Sequence, residues 1–507
     1  MFLRKIKNRS GSFSVQIISK GGGKYKVVKT IGSGSSEQEL QKLWFIGNQE
    51  IERLSAQSEL FVSEYDTLVE EIFNNLENAS VKTVGPELIF GKIYDHIGFN
   101  AIDEPMFRHL VIARLAFPLS KLKTVEYVYR FQGIELDIDA VYRFLDRLNS
   151  ELKMQVEQIA FAHTKKILNN DLSIVFYDMT TLYFEASDED DLRKTGFSKD
   201  GKHQHPQIFL GLLVGTGGYA IGYDIFEGSI YEGHTLIPFL EKIQVKFNLG
   251  KPIIIADAGL LSNQNIAALT EKKYQYIIGG RLKNESKAIK EKILSLHWEE
   301  GQVINLEKDN GTKLIVAFST SRASKDQHNR QRGLQRLEKQ IRKGKLNKSN
   351  INNRGYNKYL KLQGKLTVEI DYDKFNADKL WDGLKGYVTN TQLTSKQVIE
   401  SYRNLWHIEN AFRISKTDLK IRPIYHRLKH RIEAHICIAF TAYCIYKELE
   451  RVLYKEKSSL SIRKAAELTH NMYEITFTLP QSKHTMSKLL KMDPQQTELY
   501  QIIQKNF

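Results

Sequence analysis

Three carboxylates stand where side chains could carry out chemistry. Asp178 ends the apolar run LSIVFYD (172–178), Asp257 ends KPIIIAD (251–257), and Glu409 lies within YRNLWHIENAFRISK (402–416). Short apolar runs of this type predict buried strands, so both aspartates fall at strand ends. On a helix, residues three and four apart share a face. Tyr402, Trp406, Glu409, Arg413 and Lys416 then form one polar–aromatic stripe, and Leu405, Ile408 and Phe412 an apolar one. Three carboxylates without a cysteine or a compact histidine cluster suit Mg2+ or Mn2+ better than Zn2+. Two such ions could activate an attacking oxygen and stabilise a leaving oxygen during in-line phosphoryl transfer. The plain alternative makes the carboxylates loop caps or ion-pair partners, with Glu409 in a surface pair.

The elements that would position them follow an α/β pattern. QIFLGLLVG (207–215) and YAIGYDIFEG (219–228), joined by a turn at Thr216–Gly218, predict a hairpin antiparallel to the strand ending at Asp178. A helix over 235–247, a strand over 252–257, a helix over 262–272 and the strand YQYIIGG follow. GYVTNT (386–391) predicts a strand leading into the helix that bears Glu409. Thr394 with Gln397 makes a capping box that starts this helix near Ser395. Strand ends and the helix leaving a last strand can meet at one edge of a sheet.

At 507 residues the chain is long enough for more than one domain, and its formal charge of +15 suggests a polyanionic partner. No apolar run is long enough to span a bilayer, and MFLRKIKNRSGSF lacks a signal-peptide core, so nucleic acid is the expected partner rather than membrane. Cys437 and Cys444, both in an apolar helical pattern, suggest a reducing compartment. Residues 13–32 predict two strands, and GSGSS after them lacks the ending of a phosphate loop. Helical spacing over 37–56 and 104–169 makes 1–165 a mainly helical accessory region. Residues 282–385 read as a strand-rich and basic insertion, in which Arg330, Arg332, Arg336, Lys339, Arg342 and Lys343 are dense enough for phosphate contact; a solvated helix is the alternative. His203 and His205 suggest a polar turn rather than a metal pair, and His435 a buried hydrogen-bonding role. Trp298 and Trp381 are chemically able to stack a displaced base.

YDMTTLYFE, IIIADAGLLSNQN and YRNLWHIENAFRISK, in that order and with a long insertion before the last, resemble the catalytic segments of bacterial insertion-sequence DDE transposases. More narrowly, they resemble the subgroup with a Tyr-Arg-Glu-Lys signature. The resemblance implies an RNase H-like core divided into 166–281 and 386–455 by the 282–385 insertion, and a DNA-binding role for 1–165; residues 456–507 read as a helical tail. It assigns Asp178, Asp257 and Glu409 as ligands of two Mg2+ (or Mn2+) ions, with Tyr402 and Lys416 as signature partners. The expected signature arginine falls at Leu405, and Ala258 stands where related enzymes often have arginine. Arg413 then becomes a candidate substrate clamp. An aromatic residue in the insertion of hairpin-forming relatives makes Trp298 and Trp381 candidates for base stacking. The implied activity is cleavage and strand transfer at the ends of a mobile element; the alternatives are a nuclease without joining activity and an inactive DNA-binding derivative. Implied partners are double-stranded DNA, terminal inverted repeats, target DNA and a second copy of the chain, in a bacterial cytoplasm at the nucleoid.

Overall fold

A computed structural model describes the chain except residues 22, 59–63, 78–79, 197, 199–200, 261, 309–310, 353–354 and 364–366. Leu261 of the second aspartate segment and Asn353 and Arg354 of the basic insertion therefore lie outside the described residues. The chain divides into two compact units, Met1–Val81 with Ile475–Lys488, and Lys82–Glu474 with Leu489–Phe507. The sequence places its boundary at 165 instead.

In the first unit the strands Phe2–Lys7, Phe13–Gly21 and Lys24–Gly34 form an antiparallel sheet, followed by the helix Glu37–Ser58. The expected hairpin is present, and FLRKIK adds a third strand along its free edge.

The second unit holds an eight-stranded sheet. Its strands are β1 (Ile174–Tyr183), β2 (Gln207–Val214), β3 (Ala220–Glu227), β4 (Ile253–Ala256), β5 (Gln275–Gly280), β6 (Val303–Glu307), β7 (Lys313–Phe318) and β8 (Leu384–Thr389). They lie in the order β6-β7-β8-β5-β4-β1-β2-β3. β1, β4 and β5 are mutually parallel, and every other neighbouring pair is antiparallel. β6 and β7, which the sequence places within an insertion, thus extend the central sheet through β8.

Alternating side chains divide the sheet between two cores, as a period of two requires. Val175, Tyr177, Ile254, Ala256 and Ile278 pack with Phe239 and Ile243 of helix α1 (Leu236–Phe247) and Leu269 of α2 (Asn263–Glu271). Phe176, Ile255, Ile277 and Tyr387 share the opposite core with the long helix that runs Lys429–Lys455 and the helices Pro105–Ala116 and Ile138–Arg147. Both faces being covered explains why every residue of β2 is buried. A smaller cluster, with Leu337, Tyr359, Ile370 and Phe375, holds the helix α3 (Thr320–Arg342) against the hairpin Leu360–Gln363 and Thr367–Ile370. Gly333 in α3 admits the Tyr356 ring, since a Cβ there would lie 2.1 Å from it. Among the described residues no helix is long and apolar enough to cross a membrane.

Candidate active site

The parallel register of β1 and β4 pairs Tyr177 with Ala256, so the next residues along are Asp178, in the middle of β1 instead of at its expected end, and Asp257, directly after β4. Neighbouring strands stand about 4.8 Å apart. Phe176 and Ile255 belong to the same core, so the two-residue period puts both aspartates on that same face of the sheet. Both are half-buried. Asp257 ends β4 by turning the chain: its Oδ1 accepts the Gly259 N–H at 2.6 Å, at the start of a single turn Ala258–Leu260. One role foreseen as the plain alternative, a loop cap, is therefore present in Asp257 alongside its sheet-edge position.

The helix bearing Glu409 reaches this face in two pieces. Thr394 and Gln397 form the expected capping box, and α4 runs Ser395–Arg403. The chain then turns at Asn404–Leu405, resumes as α5 (Trp406–Arg413) and ends in a π-type turn, Ile414–Asp418. Leu405, Ile408 and Phe412 bury the apolar stripe in the core shared with Phe176 and Ile255. Trp406, Glu409 and Arg413 are exposed, whereas Tyr402 departs from the expected polar stripe and is only 7% exposed.

All three carboxylates lie within electrostatic reach of Tyr402. Burial pushes its phenol well above the ordinary range, and the charge of Asp257, the Tyr387 phenol, Glu409 and Asp178 add to the effect. The hydroxyl is therefore protonated at neutral pH. It lies 2.6 Å from where a Cβ on Gly279 would stand, so glycine in β5 is what lets the phenol reach this edge. The ring meets Tyr387 edge-on at 5.1 Å, and Lys385 Nζ stands 4.4 Å from its centroid. Burial and then the Arg322 charge lower the Lys385 pKa, Glu409 raises it, and Arg403 lowers it again. Lys385 is thus a cation within electrostatic reach of Glu409, and Arg322, which pairs with Asp326 at 3.5 Å, is near Lys385; sequence reasoning singled out neither. A lone lysine opening a strand carries no motif.

Ala258, Tyr402, Lys385, Arg322 and Trp381 line a cavity of about 780 Å³ that runs from this edge toward α3. Its far wall is held by Arg330, which pairs with Asp382 and lies 4.8 Å from the Phe375 ring. Arg330, counted in the sequence with the phosphate-contacting residues, is instead a buried structural cation. Arg336, Lys339, Arg342 and Lys343 are exposed on α3 and just beyond it. Arg413 donates to Asn410 Oδ1 at 3.1 and 2.7 Å, and this replaces the pair with Glu409 that helical spacing allows. Lys416 sits half-buried in the π-type turn. Trp298 packs beside Phe318, with Nε1 donating to the Ile293 carbonyl at 3.0 Å, while Trp381 faces the cavity. Ser198 N–H donates to His203 Nδ1, and His435 Nε2 lies 3.0 Å from the Ile421 carbonyl, as a polar turn and a buried hydrogen bond would have it.

Among the described residues no three His, Cys, Asp or Glu side chains close around one point at metal-ligand spacing. That arrangement is what a protein-only cage would need. Mg2+ is instead commonly held by one or two carboxylates, with water and substrate phosphates completing the shell. The all-oxygen pair Asp178 and Asp257, side by side on adjacent strands, fits that donor set.

The transposase DDE domain family model matches residues 169–445. No curated protein is significantly similar to the chain. Among solved structures, a piggyBac transposase synaptic complex with hairpin DNA is similar at 9% identity over 76% of each chain, with a TM-score of 0.38. A Mos1 transposase paired-end complex with its left transposon end is similar at 12% identity over 31% of this chain and 53% of that one, with a TM-score of 0.16. Both scores are too low to carry a structural argument. The family match stands without them: it covers more than half the chain, including Asp178, Asp257 and Glu409, and the chain belongs to the transposase DDE domain family.

Proposed function

We propose that this chain is the transposase of a bacterial insertion sequence, cutting DNA at the ends of its element and joining those ends to target DNA. The observation that carries the proposal is the family match over 169–445, together with the adjacent positions of Asp178 and Asp257 on parallel strands and Glu409 within electrostatic reach of the same buried phenol. The order β3-β2-β1-β4-β5, with β2 antiparallel to the other four strands, supports an RNase H-like core. The segments around Asp178, Asp257 and Tyr402–Lys416 support placement in the Tyr-Arg-Glu-Lys subgroup.

In this reading Asp178, Asp257 and Glu409 hold Mg2+ (or Mn2+), which when bound activates oxygen nucleophiles and stabilises leaving oxygens. Lys385 and Arg322 set positive charge where a scissile phosphate would enter from the cavity. The protonated Tyr402 hydroxyl offers a donor at the same edge. Water attacks first and releases a 3′-hydroxyl; that hydroxyl then attacks a phosphodiester of the target. Lys416 and Arg413 contact flanking phosphates, α3 positions the duplex through Arg336, Lys339, Arg342 and Lys343, and Trp381 offers a stacking face for a displaced base. Residues 1–165 contribute to DNA binding, and two copies act on paired ends at the nucleoid.

Strand transfer on the inverted repeats that flank the coding sequence tests the proposal. Joined products from those ends, and none from scrambled ends, are expected with Mg2+. Cleavage without joining would leave a nuclease. Binding without cleavage would leave a DNA-binding derivative.

A further inference from the structure

A second cavity, of about 660 Å³, is lined by cations and contains no carboxylate. Arg114 enters it from the helix Pro105–Ala116 and Lys121 from the helix Lys121–Tyr127; they are 4% and 5% exposed. Tyr142, Arg422, His426 and His435 complete the wall. Burial alone pulls Arg114 down to about 10, and burial followed by the Arg114 charge pushes Lys121 well below its ordinary range. Among the described residues no acidic group acts on either. Burial, then Lys121, Arg431 and Arg114, holds His426 down to about 3, so all of these groups lie within electrostatic reach of one another. Arg431 is already engaged by Asp146, at 2.7 and 2.8 Å. His435 spends Nε2 on the Ile421 carbonyl, and its Nδ1 is buried with no partner among the described residues.

Burying two cations without a counterion is costly, and an anion in the cavity would offset that cost. We propose that this cavity is an oxyanion site for a phosphate group, with Arg114 and Lys121 as its principal ligands. Arg can grip two phosphate oxygens at once, and Lys supplies a point charge beside it. Two sources share that chemistry, a phosphodiester of a DNA strand and a free phosphate. The place of the cavity bears on the first. Ile424 pairs with Phe184 directly after β1, and the Arg422 guanidinium lies 5.6 Å from the Tyr183 ring. Tyr183 follows Asp178 by five residues on the same strand, roughly 17 Å along it.

Calorimetric titration of the full-length protein tests this, with sodium phosphate and, separately, a short oligothymidylate lacking terminal phosphates as probes. Sodium chloride at matched ionic strength is the control. Wild-type protein should bind at least one probe, and Arg114→Gln and Lys121→Met should each weaken that binding tenfold or more. Phosphate binding identifies a free-phosphate site; oligothymidylate binding alone identifies a backbone site. Lys121→Arg should retain binding, which keeps the test decisive if Arg114→Gln fails to fold. In phosphate-free buffer Lys121→Met should not lower the unfolding midpoint, because the charge it removes had no partner. Asp178→Asn should bind like wild type, so loss of the proposed catalysis and loss of this site are separable. Absence of binding by both probes, or wild-type affinity in Lys121→Met, overturns the proposal.

Discussion

Lys385 and Tyr402 set the electrostatic character of the carboxylate edge from opposite ends of the same stack. The phenol stays protonated among negative groups, and the ammonium lies against its ring and within reach of Glu409. If Lys385 meets the scissile phosphate, Lys385→Ala should lower cleavage at saturating DNA by about tenfold or more, or about 1.4 kcal/mol of barrier. Lys385→Arg should recover part of it, and the unfolding midpoint should change little in both. Cleavage at the wild-type rate in soluble Lys385→Ala protein would remove the lysine from the site. Lys385 was hidden in the sequence, and so was the burial of Tyr402, though not Tyr402 itself. Asp178 and Asp257 stood out because apolar runs ended on them, but Lys385 is the second residue of β8 with no motif around it, and Tyr402 shares its helical spacing with exposed residues. Arg330 shows the converse, a basic residue in a basic segment that Asp382 claims for packing.

The helices carry two further expectations. Within the long helix Lys429–Lys455, Glu448 is 1% exposed. Burial opposes its charge, but His163 and Arg451 outweigh it and hold the carboxyl at about 2 rather than 4.5. A depressed folded value means that ionised Glu448 stabilises the fold above about 4.5, and that this is lost as pH falls toward about 2. At 1.36 kcal/mol per unit the contribution is roughly 3 kcal/mol. Glu448→Gln should therefore unfold at lower denaturant than wild type at pH 7, with the gap narrowing by pH 3; a gap independent of pH would refute the assignment. On α3 the expectation concerns DNA. Arg336, Lys339 and Lys343 recur at helical spacing on the exposed side, with Arg342 beside them. Neutralising the four together should weaken DNA binding and flatten its dependence on salt. An unchanged salt titration would place the contact elsewhere. The break at Asn404–Leu405 could not be read beforehand, because neither residue punctuates a helix as Gly or Pro does.

Across the larger unit, local signals fared better than distant pairings. The two buried strands that carry the aspartates, the hairpin between them and the Thr394 capping box rest on patterns a few residues long, and all are present, although β1 runs on to Tyr183 and leaves Asp178 in mid-strand instead of at the expected strand end. That β6 and β7 join the central sheet depends on β8, which follows β7 by more than sixty residues, and no local pattern announces such a partner. The same holds for Ile475–Lys488, which belongs with the N-terminal unit. The central claim spans the sheet and helix α5 together: Asp178, Asp257 and Glu409 act as one set. Its most direct measurement is single-turnover cleavage of the element's own ends with Mg2+ by Asp178→Asn, Asp257→Asn and Glu409→Gln proteins, each checked for solubility and unfolding midpoint. The account predicts that all three keep their folding and lose cleavage, by a thousandfold or more on the order expected for removing ligands of a reacting centre. Wild-type cleavage in three folded variants would contradict it.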